Sequence, residues 1–407
     1  MDEVQLEADR MYRSQFGKMV SSLLYFSGDI DLETAEDIVQ DSFSAALLSW
    51  KEHGLPNNPS AWLNKVCRNK ALNKLKEIKR FSNQAVEGNV LPEEPSISVS
   101  PLQDQQLILL FACAHPDLSP KVQVVITLKY VVNLKVEAIA KILGMTVDGI
   151  DKLLVRARQK IKEERILFHE PSAGSLASRI HIVHKILYLI FNEGYKSSWG
   201  DALIREELCE EALLMTRALT KSPVGNKESL ALYALMLFNA SRLEARFGPG
   251  GELLDLEEQD RSRWNQDLIQ LGMFSLNAAE GFPRSTYHCE ASIAGLHCSA
   301  PGFSSTNWRA IITLYKELLS MQPNPFVELN FAIALYYGHH KQEALDILHS
   351  LETQPFFSQY YLLHASLGRI YTMEGNGDLA KRYFTKTLGL TNSADEKAFI
   401  QRLMKKI

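Results

Sequence analysis

The sequence predicts an all-α protein with more than one domain. Apolar residues recur at three- and four-residue spacing through long stretches, as in AALLSWKEHGL (45–55) and SLALYALMLFNASRLEA (229–245), whereas strand-like alternation is rare. The chain has 407 residues, 46% of them apolar, which is typical of a globular protein with two or three separate cores.

No apolar run reaches the roughly 18 residues that a membrane-spanning helix needs. The N-terminal stretch MDEVQLEADRMYRSQFGK is charged and lacks the apolar centre of a signal peptide. The five cysteines form no CxxC pair, which favours reduced thiols over a disulfide framework. We therefore expect a cytoplasmic protein that has no contact with a membrane.

The net charge of −4 hides an uneven distribution. Two runs are strongly basic, KVCRNKALNKLKEIKR (65–80) and KLLVRARQKIK (152–162), and between them lies an acidic segment rich in Ser and Pro. This segment has no helical period, so residues 83–104 are predicted to be a flexible linker. Two basic helical modules on an acidic tether suggest a nucleic-acid partner, although each run also suits an ordinary solvated helix face.

The second basic run belongs to a predicted helix-turn-helix, VEAIAKILGMTVDGIDKLLV (136–155). Ala140 falls where the two helices must approach closely, Gly144 supplies a left-handed turn, and Ile150 begins the core face of the second helix. Thr146 is a candidate N-cap. A plain helical hairpin is the alternative interpretation.

If this motif binds DNA, its second helix enters the major groove. We then expect one group of residues to face the bases and another to reach phosphates. The first group is Thr146, Gly149, Lys152 and Arg156, and the second is Arg158 and Lys160.

Three segments together resemble bacterial sigma factors of the extracytoplasmic-function (ECF) group. The acidic–Gln–acidic–aromatic helix AEDIVQDSFSAALLSW (35–50), the loop GLPNNPS (54–60) and the basic helix AWLNKVCRNKALNKLKEIKR (61–80) match the pattern of sigma region 2. The helix-turn-helix, with RAR at Arg156–Arg158, resembles sigma region 4. The resemblance implies region 2 over residues 1–82 and region 4 over 105–168.

The resemblance also implies partners. It implies core RNA polymerase, through its β′ coiled coil and β flap, together with promoter DNA. The residues implied for core-polymerase binding are Asp37, Gln40, Asp41 and Phe43, with Phe43 and Trp50 on the buried side of the helix. Those implied for the −10 promoter element are Asn57, Asn58, Lys65, Arg68, Asn69, Asn73, Lys74 and Lys76.

A long C-terminal part, predicted to be a separate helical domain over residues 175–407, resembles the ECF subgroup with a tetratricopeptide-like extension. Its motifs are YLIFNEGY, ALMLFNASRLEAR, LEEQDRSRWN and ASIAGLH. A small residue recurs at Ala310, Ala344 and Ala380, close to the 34-residue period of such repeats, with Gly338 and Gly375 at the turns. The domain is expected to hold an intramolecular segment or another protein.

No catalytic or metal site is expected. The charges in LEEQDRSRW suit a salt-bridge network better than acid–base chemistry, because no nucleophile or phosphate loop lies near them. HCEASIAGLHC places its two His–Cys pairs on opposite sides of a helix, which does not suit zinc. We expect a sigma factor that needs no cofactor, performs no chemistry and is controlled by its extension. The alternative is a helix-turn-helix regulator or repeat adaptor that never joins polymerase.

Overall fold

A computed structural model describes residues 3–81, 105–164, 166, 172–195, 205–281, 283–391 and 393–407. The predicted all-α class is confirmed: these residues form eighteen α-helices and no strand, apart from one isolated bridge between Phe247 and Leu253. The contacts divide the chain into two compact units, one ending at Gly225 and the other beginning at Asn226. The predicted linker, residues 83–104, lies outside the described residues.

The first unit begins with three helices, α1 (Glu3–Phe26), α2 (Leu32–His53) and α3 (Pro59–Phe81), which we call the N-terminal helix group. Asp31 caps α2 by accepting a hydrogen bond from the Thr34 N–H at 2.8 Å. Gly54 ends α2 with φ +81°, a conformation that residues with a Cβ avoid. Phe43 and Trp50 are fully buried between the helices, which keeps α2 in one rotational setting.

Four shorter helices follow, which we call the second helix group: α4 (Gln105–Cys113), α5 (Pro120–Tyr130), α6 (Val136–Ile142) and α7 (Val147–Glu163). Ser119 and Pro120 start α5, the residue types that favour a helix N-terminus. Residues 107–114, which include most of α4 and the residue after it, are all buried. Such a helix needs partners on every side.

Two of those partners come from α8 (Ala173–Tyr195) and α9 (Glu206–Lys221), which pack against α4. The Arg179 side chain donates a hydrogen bond to the Phe111 carbonyl at 3.0 Å. The contact boundary therefore falls after α9, whereas the sequence analysis starts the C-terminal domain before α8. The first two helices of the predicted extension complete the core of the second helix group.

The described residues of the second unit form nine α-helices, and helices that are neighbours along the chain pack together. They are α10 (Lys227–Ala240), α11 (Gln266–Ala278), α12 (Thr286–Ser299), α13 (Trp308–Met321), α14 (Pro325–Tyr337), α15 (Lys341–Glu352), α16 (Tyr361–Met373), α17 (Gly377–Leu390) and α18 (Ala394–Met404). Ala344 and Ala380 are fully buried at the repeated small position, and Gly375 takes the left-handed turn. At the preceding turn it is His339, not Gly338, that has positive φ.

The charged motif LEEQDRSRW lies in the loop between α10 and α11, where its acids meet cations of the last helices. Glu258 accepts from Arg402 at 2.7 Å and from Lys406 at 2.9 Å. Arg369 on α16 is paired with Asp255 and with Glu257. The motif thus forms a salt-bridge network within this unit, as the sequence analysis expects.

Close packing of α16 on α17 depends on one glycine. A Cβ at Gly368 would lie 2.8 Å from the buried ring of Phe384, whereas a Cβ at the exposed Gly389 of α17 would meet nothing. We expect Gly368→Ala to lower the free energy of unfolding by about 1–3 kcal/mol through overpacking. Gly389→Ala should raise it by roughly 0.4–1 kcal/mol, because alanine loses less backbone conformational freedom than glycine on folding.

Urea titration of the full chain, followed by helical circular dichroism, measures both changes. Equal effects of the two substitutions would contradict this account of the contact.

Candidate functional site

One face of α2 is polar and the opposite face is buried. Asp37, Gln40 and Asp41 are exposed, and successive residues of a helix turn by about 100°, which places all three on one stripe. Leu48 continues that stripe and is 74% exposed, although the sequence analysis does not select it. An apolar side chain this exposed at the end of a polar stripe suits a protein partner.

Phe43 does not belong to this exposed stripe. It is 4% exposed and packs edge-on against the ring of Tyr12, with 4.9 Å between the centroids. Its inclusion among the partner-binding residues therefore needs correction, because only its anchoring role fits its position. Trp50 is anchored likewise, against Trp62.

The stripe concentrates negative charge. The pKa of Asp37 is raised by partial burial and by the neighbouring carboxylates of Glu33, Glu36 and Asp41. Lys70 on α3 approaches Asp41 only to 3.8 Å, and the Asp41 side chain is 72% exposed. A cluster of like charges that repel one another favours the approach of a basic partner.

The basic helix α3 presents most of its predicted DNA-binding residues on one exposed face. Lys65, Asn69, Asn73 and Lys76 are exposed and fall within about 80° of each other around the helix. Arg68 is exposed nearby and lies over the ring of Phe26, 5.8 Å from its centroid. Lys74 is turned to the opposite side and is paired with Glu77 at 3.0 Å, so it does not extend this face.

The two loop asparagines differ in their availability. The Asn58 side-chain oxygen accepts from the Ala61 N–H at 3.0 Å and so caps α3. Asn57 is exposed, and no hydrogen bond of its side chain occurs among the described residues. Asn57 is therefore the freer of the two to contact a base.

Helices α6 and α7 have the local geometry that the helix-turn-helix interpretation requires. Ala140 and Ile150 are buried where the helices meet, and Gly144 has φ +60°. Thr146 caps α7 by accepting a hydrogen bond from the Gly149 N–H at 3.1 Å. This bond gives the Thr146 hydroxyl and the Gly149 N–H a structural role. The cap fixes the start of the helix that would enter the groove.

A basic stripe runs along the exposed side of α7. Gly149, Lys152, Arg156 and Lys160 recur at three- and four-residue spacing and fall on one face. Lys152 is paired with Asp148 at 2.7 Å, an exposed pair that contributes little to stability. The Lys160 ammonium donates to the Asp117 carbonyl at 2.5 Å, and Arg156 has no ion pair among the described residues.

Arg158 does not lie on that stripe. Its predicted contact with a DNA phosphate therefore needs correction, because the side chain is not available to DNA in this arrangement. It points toward the body of the unit, where its guanidinium donates to the Tyr130 hydroxyl at 2.8 Å and is 3.5 Å from carboxylate oxygens of Glu33 and Glu36. Burial raises the pKa of the fully buried Tyr130 to about 12. Burial opposes the charged form of Arg158, but its pKa is raised by Tyr130 and the two glutamates.

Neither a metal site nor a membrane-spanning helix occurs within the described ranges. No group of three His, Cys, Asp or Glu side chains there is arranged to hold an ion. None of the helices there is long and apolar enough to cross a bilayer.

Comparison with known protein families gives three matches along the chain. Residues 14–81 match sigma-70 region 2, residues 108–161 match sigma-70 region 4, and residues 179–280 match a family of unknown function, DUF6596. The tetratricopeptide-like resemblance of the C-terminal part is not confirmed by these matches. The chain is also 30% identical over 396 residues to an uncharacterized protein, R00370, of Rhizobium meliloti (strain 1021), covering 94% of this chain and 91% of the relative. No solved structure matches.

The stripe on α7 predicts unequal effects of two exposed cations. Arg156→Gln is expected to weaken binding to duplex DNA by about 1–3 kcal/mol, and to lower the slope of log affinity against log salt by about 1. Lys162→Gln is the matched control, because Lys162 is exposed on the same helix but about a third of a turn away from the stripe.

Fluorescence anisotropy with a labelled duplex, over a salt series, measures both quantities. Equal losses in the two variants would mean that α7 contributes only general positive charge.

Proposed function

We propose that this chain, a member of the sigma-70 family of RNA polymerase sigma factors, joins core polymerase through the exposed stripe of α2 and directs initiation at particular promoters. The sigma-70 type follows from the region 2 and region 4 matches. The residue-level contacts, the ECF subgroup and the control by the C-terminal part are our proposals.

One observation carries this proposal. The segments that match regions 2 and 4 each expose a charged stripe, and each stripe is built on a helix fixed by buried residues, which supports the proposal. On α2 it is the acidic stripe anchored by Phe43 and Trp50, and on α7 it is the basic stripe anchored by Ile150 and Leu154. Exposed functional groups on rigid helices keep their geometry when a partner binds.

The two surfaces have different tasks at a promoter. The α7 stripe would enter the major groove of the −35 duplex, with Lys152 and Arg156 next to base edges and Lys160 next to phosphates. The α3 face would hold the melted −10 strand, where Lys65, Arg68 and Lys76 meet phosphates and Asn69 and Asn73 meet base edges. Both tasks are binding tasks, so the chain itself would catalyse no reaction, and it would work in the cytoplasm beside polymerase.

The C-terminal part is proposed to control this activity. Helices α8 and α9 pack against the apolar α4, so the extension is already part of the core of the second helix group. A ligand or protein that binds the second unit would act through this continuous chain.

The acidic stripe predicts a charge-specific loss of polymerase binding. Asp41→Arg is expected to weaken binding to core polymerase by about tenfold or more, because it places a positive charge against a basic surface. Asp29→Arg is the control, since Asp29 is an exposed acid of the same helix group outside the stripe. Co-purification and titration with core polymerase measure the affinities, and equal losses would place the docking surface elsewhere.

The role of the extension is tested by run-off transcription on fragments of the host genome. Initiation that depends on the full chain at discrete sites would support the sigma role.

Removing residues after Gly225 keeps α8 and α9 on α4, and should change the output by about fivefold or more in either direction. Unchanged output would remove the proposed control, and failure of the full chain to bind core polymerase would favour a regulator that acts without it.

A further inference from the structure

A cavity of about 250 Å³ lies within the second unit, lined by the loop after α10 and by residues of α12, α13, α14 and α16. Ile311, Ala334 and Ile370 line it and are buried, so its inner surface is apolar. Glu257 and Met373 also line it and are exposed, so it opens at the surface. Pockets for whole drug-sized ligands typically measure roughly 300–1,000 Å³, and this smaller cavity suits a group the size of a long side chain.

One part of the lining is an aromatic wall made of Phe303, Trp308 and Tyr337. The rings of Trp308 and Tyr337 are stacked, with 4.9 Å between their centroids and 19° between their planes. Phe303 meets both of them edge-on, at 5.2 Å and 4.9 Å. All three rings are only partly buried, so the wall still offers aromatic surface. A cation within about 6 Å of the centroid of such a ring is attracted by the negative charge of the ring face.

The lining carries more negative than positive charge. Its charged residues are Asp255, Glu257 and Arg369, and the guanidinium of Arg369 is already paired with both carboxylates. An anion would therefore find no unpaired cation in the lining. The Glu257 side chain is 44% exposed, and only its Oε2 atom contacts Arg369 and the Tyr337 hydroxyl. Its Oε1 atom accepts no hydrogen bond within the described part of the chain, which leaves an acceptor at the mouth of the cavity.

Two other arginines lie near His297, which lines the cavity, but neither of them lines it. Burial, together with the guanidinium groups of Arg242 and Arg261, lowers the pKa of His297 to about 3, so this ring is neutral near pH 7. Arg261 donates to the backbone carbonyls of His297 and Ala300, and Arg242 donates to the side chain of Asn239. The lining itself therefore gains no positive charge from this side.

We propose that this cavity binds an organic cation of side-chain size, an aliphatic chain that ends in a guanidinium or ammonium group. The chain packs against Ile311, Ile370 and Met373, while the charged end pairs with Glu257 and lies against the aromatic wall. A free alkylguanidine or alkylamine has this chemistry, and so does an arginine or lysine side chain of a protein segment. The inference goes beyond the proposed function, because such binding needs neither polymerase nor DNA.

Isothermal titration calorimetry of the full chain, without polymerase or DNA, tests the site. The ligands are n-butylguanidine, as a free cation, and the capped peptide acetyl-Gly-Arg-Gly-amide, as a protein-borne one. The same peptide with citrulline in place of arginine is a neutral control of nearly equal shape. At least one cationic ligand should bind with a Kd on the order of 1 mM or tighter, and the citrulline peptide at least about tenfold more weakly than the arginine peptide. Tighter binding of butylguanidine would assign the site to free small cations, and tighter binding of the arginine peptide would assign it to a protein segment.

Two substitutions place the binding in this cavity. Glu257→Gln should weaken binding of the cationic ligand by about tenfold, because it removes the acceptor charge while Asp255 still pairs with Arg369. Glu244→Gln is the matched control, since it makes the same change at an exposed acid of the same unit that does not line the cavity. It should leave the affinity unchanged. Tyr337→Leu, which removes one aromatic face, should weaken binding by about fivefold while circular dichroism shows that the helices persist.

Three results would each overturn the cation site. The first is the absence of binding by both cationic ligands at about 10 mM. The second is equal affinity for the arginine and citrulline peptides, which would mean that the charge is not recognised. The third is an equal loss of affinity in Glu257→Gln and Glu244→Gln, which would mean that the cation binds to general negative charge. None of these results bears on polymerase binding, so the proposed function is tested separately.

Discussion

Glu36 is a carboxylate in a site that is almost dry, and the geometry of the first unit depends on its two cations. A buried charge without a partner destabilises a fold by about 3–5 kcal/mol, whereas a fully paired charge is close to neutral compared with apolar packing. Arg158 is about a quarter exposed, so water moderates its part of that penalty, and Lys129 carries more of the requirement. The pairing of Glu36 with Lys129 and Arg158 therefore contributes specificity, because only one relative placement of α2, α5 and α7 satisfies all three charges.

Much of the local structure follows from the sequence. The spacing of Ala140, Gly144 and Ile150 predicts a helix-turn-helix, and the structure has the buried contacts and the left-handed glycine that this spacing implies. The same helical period puts Arg158 half a turn from Arg156. This period alone was enough to exclude Arg158 from the residues that face DNA. It could not identify Glu36 as a partner of Arg158, because Glu36 lies far away in the sequence. Long-range charge pairs leave no local pattern.

The C-terminal part illustrates a similar limit. Recurrence of small residues predicts the helix pairs around Ala344 and Ala380, and the charged loop motif predicts a salt-bridge network. Neither pattern identifies Arg369, Arg402 and Lys406 as the cations, since these lie more than a hundred residues later in the sequence. The domain boundary is harder still. The apolar run of α4 signals that this helix needs cover on all sides, but only the fold shows that α1, α5, α8 and α9 provide it.

The contact between the two helix groups combines helix packing with ion pairs, and the two kinds of contact differ in their energetics. Separating an apolar interface exposes its surface to water at about 25 cal/mol per Å², with nothing regained on the exposed groups. Carboxylates, ammonium groups and guanidinium groups regain hydration when they separate, so an ion pair opposes separation less than apolar packing does. The interior of each helix group is apolar, around Trp50 in one and Phe111 in the other, and the contact between the groups combines the packing of α1 on α4 and α5 with the ion pairs of Glu36. The charges therefore make the relative placement of the two helix groups specific, while the packing of α1 on α4 and α5 supports it.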